Sequence, residues 1–304
     1  MTLTPDAGDK EAVVQFAQAL EIEGRSLWKD AGIRFMKNRA AVASLIILAL
    51  MGLAVLVGPL LSPHSYDAMD WSAMTVPPTL ENSHWFGTDA LGRDLFVRIL
   101  AGGRISFMVG LLGALVAVVI GILFGAVAGY TGGRVDSMMM RVLEILQSFP
   151  FMFLVILMVT LFGQSLMLIF IAIGAVSWLE MARIVRGQTI SLKSREFVEA
   201  ALVCGSRQTA VIVRHIVPNI LGIVVIYASL LVPGMILFES FLSFLGLGVQ
   251  EPMTSWGALV NEGAQSMDVA AWQLILPAGF LTVTLFCFNY IGDGMRDALD
   301  TKDR

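Results

Sequence analysis

From Ala40 to Leu61 the chain runs without one charged residue, and Phe107–Tyr130, Ile220–Phe238 and Trp272–Ile291 are likewise uncharged. About 20 apolar residues as a helix cross the ~30 Å hydrocarbon core of a bilayer, whereas a spanning strand needs only about 10. Inside a bilayer every backbone N–H and C=O must be paired within the protein, which leaves helices or a closed barrel. Runs of this length therefore predict helices. Val142–Phe162 and Leu166–Met181 are shorter on uncharged residues, carrying Glu144 and Glu180, but are otherwise apolar. The expectation is an all-α membrane protein with six transmembrane helices.

Composition agrees. Of the 304 residues 57% are hydrophobic and 14% charged, against about 25% charged in a soluble domain. Cation placement sets the orientation, because Lys and Arg accumulate on the cytoplasmic side. With the N-terminus inside, all of the 20 Lys and Arg except Arg93, Arg98 and Arg104 fall on that side. Both termini are then cytoplasmic. The outer side carries Asp67, Asp70, Glu81, Asp89, Asp94, Glu251, Glu262 and Asp268, which could greet a docking protein or keep the loops wet.

Residues 1–39 read as a cytoplasmic N-terminal segment, in which Leu27, Trp28, Ile33, Phe35 and Met36 alternate with cations, as in a helix lying on the membrane surface. A solvated basic arm fits the same residues. No apolar region with a small-residue cleavage site opens the chain, so no cleaved signal peptide is expected. Residues 40–61 form the first crossing, 62–104 an outer linker, 105–292 a five-helix core, and 293–304 a cytoplasmic tail. The charges Asp89, Arg93, Asp94, Arg98 and Arg104 read as an ion-paired surface helix at the end of the linker, with a charged site as the alternative. Pro150 predicts a kink in the third crossing. Gly121, Gly125 and Gly129, four residues apart, predict a helix face on which another backbone packs closely. Phe241–Gly263 is half apolar and too broken to span, as in a re-entrant segment.

Within the core, residues 183–219 form the one long polar interruption of the second half. Phe197, Val198, Ala200, Ala201 and Leu202 give its centre an apolar face at helical spacing, and Gly205 supplies a place to end and turn. The reading is a short amphipathic helix, a corner and a second helix. An amphipathic loop of this kind is often only a surface connector.

Several chemistries are missing. None of the lysines follows a glycine, so there is no phosphate-binding Gly-Lys-Ser/Thr loop. His64, His84 and His215 lie far apart without an HExxH pattern, so no metal-binding residues are assigned. Cys204 and Cys287 are isolated, and no nucleophile stands at a usable spacing from a base. The chain reads as non-catalytic. An ion-coupled secondary transporter would bury charges at mid-membrane. Glu144, Glu180 and Glu239 read instead as helix-end residues.

The polar loop carries Glu199-Ala200-Ala201, then Gly205, then His215-Ile216-Val217-Pro218. This resembles the EAA signature of ABC importer permeases, with His215 and Val217 where that family usually has Ile and Leu. The strings SLWKDAGIRFMKNRAAVASLI, HWFGTDALGRDLFVRILAGGRIS, SFPFMFLVILMVTLFG, GLGVQEPMTSWGALV and DGMRDALD extend the likeness over nearly the whole chain. Together they resemble the peptide and nickel branch of that family, and within it the C-type inner-membrane subunit of bacterial oligopeptide permeases. A dipeptide or nickel permease is the nearest alternative.

The resemblance implies a type I ABC importer permease fold in the bacterial inner membrane. Its partners would be a second, homologous permease, two ATP-binding subunits, a periplasmic peptide-binding protein and the lipid bilayer, with no nucleic acid. ATP and Mg would sit on the partner subunits, and this chain would bind no cofactor. Glu196, Phe197, Glu199, Ala200, Ala201, Gly205, Arg207, His215 and Pro218 would form the coupling element that docks on the ATPase.

Overall fold

A computed structural model describes residues 27–299, so most of the expected N-terminal segment and the end of the tail lie outside the described residues. Among the described residues the architecture is helical. Helix α1 (Leu27–Lys37) is amphipathic and leads directly into α2 (Arg39–Leu61), whose first turn Asn38 caps by accepting a hydrogen bond from the Ala41 N–H at 3.2 Å. Only Ala41, Ser44 and Val55 of α2 are buried, so most of its apolar surface is open to lipid.

Pro59 lies inside the last turn of α2 and has no N–H to give the Val55 carbonyl. Arg104 meets that need. Its Nε donates to the Val55 carbonyl at 2.9 Å and its Nη2 to the Leu56 carbonyl at 2.7 Å. One of the three arginines outside the cytoplasmic set thus closes a gap that proline opens.

The central element is α3 (Leu95–Thr131), 37 residues long, started by the Asp94 side chain accepting from the Val97 N–H at 2.9 Å. At 1.5 Å per residue it is about 55 Å long and outreaches the hydrocarbon core. The sequence boundary between linker and core therefore falls inside a helix. Helix α3 packs against α6 (Leu166–Lys193), α9 (Val217–Phe244), α2 and the short α10 (Trp256–Gln265). Val109, Ala114 and Ala117 of α3 form the central apolar cluster with Ile173, Val232, Met235 and Ile236.

Three further expectations need correcting. The third crossing is not one kinked helix but two, α4 (Gly133–Ser148) and α5 (Phe151–Phe162), bent by 76°. Pro150 cannot continue the ladder and holds Phe149 in the extended region, φ −76° and ψ 127°. Helix α6 is not short. It continues past Met181 because its charges leave the apolar zone without any glycine turn or proline to stop it. Glu180 is therefore mid-helix and exposed rather than terminal.

Helix α11 (Trp272–Leu299) completes the bundle, and its Gly294 lies against Ala41 and Phe35, closing the α1–α2 junction on its inner end. Among the described residues four helical spans, α2, α3, Gln208–Phe244 and α11, are long and apolar enough to cross a membrane, or five where the bent α4–α5 pair is taken as one broken span. Helix α6, uncharged from Leu166 to Leu179, is the remaining element of the six-helix architecture.

The linker charges are not on a surface. Arg98 is fully buried, and Asp89, Arg93 and Asp94 nearly so. The linker folds back so that Asp89 accepts from Arg93 Nε at 2.6 Å and from Arg98 Nη1, while Glu262 of α10 takes Arg98 at 2.6 and 3.0 Å. Glu251 accepts from Arg93 Nη1 at 2.8 Å. Burial opposes the Arg93 charge, but the hydrogen bonds to Glu251 and Asp89 and the charges of Asp89 and Glu262 outweigh it and hold its pKa above the ordinary value. Two buried guanidiniums held by three carboxylates lock the linker to the segment between α9 and α11. Two-point pairing of this kind fixes geometry as well as energy.

Glu239 is also buried, within α9 rather than at its end. Ser243 donates to it at 2.7 Å and Ser106 at 3.2 Å, so hydroxyls solvate the carboxyl in place of water. Beyond α9 the chain turns at Gly246 (φ +75°) into α10, capped by Ser255, with Trp256 fully buried against α3.

Candidate coupling interface

The polar interruption folds into two arms. The first, α7 (Glu196–Val203), begins at Arg195, an extended residue, and places Glu196 and Glu199 in its first turn where carboxylates complement the helix dipole. Val198 and Ala201, three residues apart, turn inward and join Val211, Ile216, Ile220, Tyr130, Met181 and Val185 in one apolar cluster. The rest faces outward. Glu196, Phe197, Glu199, Ala200, Leu202 and Val203 are exposed, Val203 at 88%.

Helix α7 ends in a paired cap. The Gly205 N–H donates to the Leu202 carbonyl at 2.9 Å and the Ser206 N–H to the Ala201 carbonyl at 3.0 Å, with Gly205 at φ +83°. These are the two hydrogen bonds of a Schellman motif, whose left-handed residue favours glycine. The position is otherwise open, with nothing within 4 Å of an added Cβ. Its constraint is conformation, not space.

The second arm starts at exposed Arg207 with the single turn α8 (Gln208–Val211), passes through a π turn (Ile212–Ile216) and enters α9. Pro218, in the first turn of α9, has no N–H for the preceding turn, and the widened π turn sits where the ladder is interrupted. His215 is half-buried there, and its carbonyl accepts from Asn219 Nδ2 at 2.6 Å. Of the residues singled out by sequence, Glu196, Phe197, Glu199, Ala200, Gly205, Arg207 and Pro218 are exposed on this loop. Ala201 is turned into its base.

That base is stiff. A Cβ on Gly121 would meet Met181 Cγ at 2.5 Å, on Gly125 the Ala182 carbonyl oxygen at 2.4 Å, and on Gly129 the Arg186 carbonyl oxygen at 2.7 Å. The three glycines thus lie backbone to backbone against α6. Arg186 grips Asp136 of α4 with two nitrogens, Nη2 at 2.6 Å, and Lys193 donates to the Tyr130 carbonyl. Helix α7 meets α3, α6 and α9 through Val198 and Ala201, which share one apolar cluster with Tyr130, Met181, Val185 and Ile220.

Sequence reading had the local ion pairs of Asp89, Arg93 and Arg98 but missed their burial and their distant partners Glu251 and Glu262, which lie more than 150 residues away. The signal was the clustering of Asp89, Arg93, Asp94 and Arg98 within ten residues. It also missed that His64 and His84 stack, with ring centroids 4.3 Å apart. Glu144, by contrast, is exposed and paired with Arg141 at 3.0 Å.

Residues 121–303 match the family model for the binding-protein-dependent transport system inner membrane component, and residues 26–78 match that for the N-terminal TM domain of oligopeptide transport permease C. The oligopeptide transport system permease protein OppC of Escherichia coli K12 is 65% identical over 296 residues, covering 97% of this chain and 98% of its own length. OppC of Haemophilus influenzae is 62% identical over 294 residues, covering 97% and 94%. The dipeptide transport system permease protein DppC of Bacillus subtilis is 43% identical over 289 residues, covering 95% and 90%.

Proposed function

The chain belongs to the family of inner membrane components of binding-protein-dependent transport systems, and on that premise we propose that it is the permease subunit of an ATP-driven importer of oligopeptides. As a member it is a multi-pass inner-membrane protein working in a complex with other subunits. The finer reading gives it a second, similar permease, two ATP-binding subunits that hold ATP and Mg, and a periplasmic peptide-binding protein. Both termini face the cytoplasm, which brings α7 to the side where ATP is. Oligopeptides are favoured over dipeptides by the match of residues 26–78 to the N-terminal domain model of oligopeptide permeases and by the 62% and 65% identity to two such permeases over nearly the whole chain.

The observation that carries the coupling role is the outward face of α7. Phe197, Leu202 and Val203 are apolar and exposed on a charged loop, at 41%, 43% and 88%. Apolar side chains rimmed by Glu196, Glu199 and Arg207 suit a protein partner better than water. Closure of the ATP-binding subunits displaces α7, the cluster beneath it carries the displacement into α6 and α9, and the pore exchanges inward for outward access. This chain performs no bond chemistry.

The test is uptake by the reconstituted complex. Peptide accumulates with ATP and the loaded binding protein in the absence of any ion gradient, and ionophores leave it unchanged. Accumulation that follows an imposed ion gradient without ATP would instead make the chain an ion-coupled carrier and draw attention to Glu239.

A further inference from the structure

We propose that His64, His84 and Asp94 form a site for one divalent transition-metal ion of the zinc class, stapling the outer end of α2 to the start of α3. One possible ligand atom from each residue lies within 4.8 Å of the other two. His64 stands just beyond the end of α2 at Leu61, and Asp94 is the N-cap of α3. His84 comes from the linker between them, its Nδ1 2.8 Å from Asp94 Oδ2.

The frame is fixed. The His84 carbonyl accepts from the Thr79 N–H at 3.0 Å and from the Gly87 N–H at 2.9 Å, and Thr88 bridges to Asp94. Asp94 divides its carboxylate. Oδ1 is committed to the Val97 N–H at 2.9 Å, which orients the group and leaves Oδ2 toward the histidines. Such hydrogen bonding of a ligating carboxylate is what holds metal ligands in place.

His64 supplies a second, independent sign. Its Nε2 is buried and has no hydrogen-bond partner, an arrangement that is unfavourable when nothing meets the atom. A cation would meet it.

The donor set selects the ion. Two imidazoles and one carboxylate, with a position left for water, suit zinc and its neighbours, whereas calcium and magnesium take oxygen ligands almost throughout. At metal–ligand distances of ~2.1 Å the donors of a tetrahedral site lie ~3.4 Å apart. The rings, now stacked and 22° from parallel, swing slightly so that one lone pair from each converges with Asp94 Oδ2. His84 ligates as a neutral imidazole, so the proton it shares with Asp94 Oδ2 moves to the other nitrogen of a neutral ring, or passes to solvent from an imidazolium, as the ion enters. Among the described residues α2 packs mainly along α1, α3 and α11, so the staple restrains the one end of α2 that lies farthest from α1.

The test compares wild type with His64→Phe in the purified complex, stripped with a chelator and titrated with zinc against a chromophoric competitor. Phenylalanine keeps a ring over His84 but offers no nitrogen. Wild type takes up one more zinc equivalent per complex than His64→Phe, or binds it at least ~10-fold more tightly. Cobalt in place of zinc gives visible ligand-field absorption in wild type alone. Zinc raises the melting temperature of wild type and not of the variant, while the zinc-free proteins melt together. His64→Gln serves as a second variant should Phe disturb folding. Equal zinc uptake and affinity in wild type and both variants, or no uptake by wild type, overturns the site.

Discussion

Gly125→Ala should separate α3 from α6. The added Cβ would lie 2.4 Å from the Ala182 carbonyl oxygen, 2.8 Å from Val185 Cβ and 2.9 Å from the Arg186 nitrogen. Two of these atoms are backbone and cannot rotate away, so the helices must move apart by about 1 Å to reach ordinary contact distance. A gap of that size forfeits roughly a quarter to a half of each dispersion contact along the seam. Overpacking of this kind costs about 1–3 kcal/mol. Gly187→Ala, in α6 itself, is the control, because nothing lies within 4 Å of its added Cβ. It removes a helix-interior glycine and should stabilise by up to about 1 kcal/mol. The propensity gain is common to both variants, so the overpacking cost separates them, and at roughly 2–4 °C per kcal/mol the melting temperatures of the two purified variants should differ by roughly 2–12 °C, with Gly125→Ala the lower. Coincident melting would refute the claim that the glycines set the helix separation.

Two other substitutions probe named contacts. Arg104→Leu strands the Val55 carbonyl that Pro59 leaves unpaired and should destabilise by about 1–3 kcal/mol. Pro59→Ala restores the helical N–H and should suppress most of that loss in the double variant, whereas additive melting shifts would contradict the pairing. Gly205→Asn should keep uptake, because asparagine tolerates the left-handed region, while Gly205→Val should insert at normal levels and transport poorly. Equal uptake by both would show that φ at position 205 is not the constraint.

What was legible in the sequence was local. The ends of α2 follow from an unbroken apolar run, and the corner at Gly205 from turn chemistry within a few residues. The four-residue glycine period marked a packing face, but not that α6 would fill it. Where a helix outlasts the membrane the hydropathy signal fails, so α6 was cut short at Met181 and α3 entered late at Phe107. Proline showed its position and not its consequence, since a kink and a full break at Pro150 begin from the same missing hydrogen bond. The buried charges were the least legible. Arg98 reads as a surface ion pair until Glu262 arrives from far along the chain, and Glu239 reads as terminal until Ser106 and Ser243 enclose it. Pairing over such separations leaves no period in the sequence.

The account stands on α7 being the surface that meets the ATP-binding subunit. A photo-reactive amino acid at Val203, the most exposed apolar side chain of that helix, tests this in the assembled complex, with Leu80 on the linker between α2 and α3, 84% exposed, as the comparison site. Irradiation should join position 203 to the ATP-binding subunit and position 80 to no such partner. A product at position 80 with the ATP-binding subunit, and none at 203, would contradict both the orientation and the coupling role.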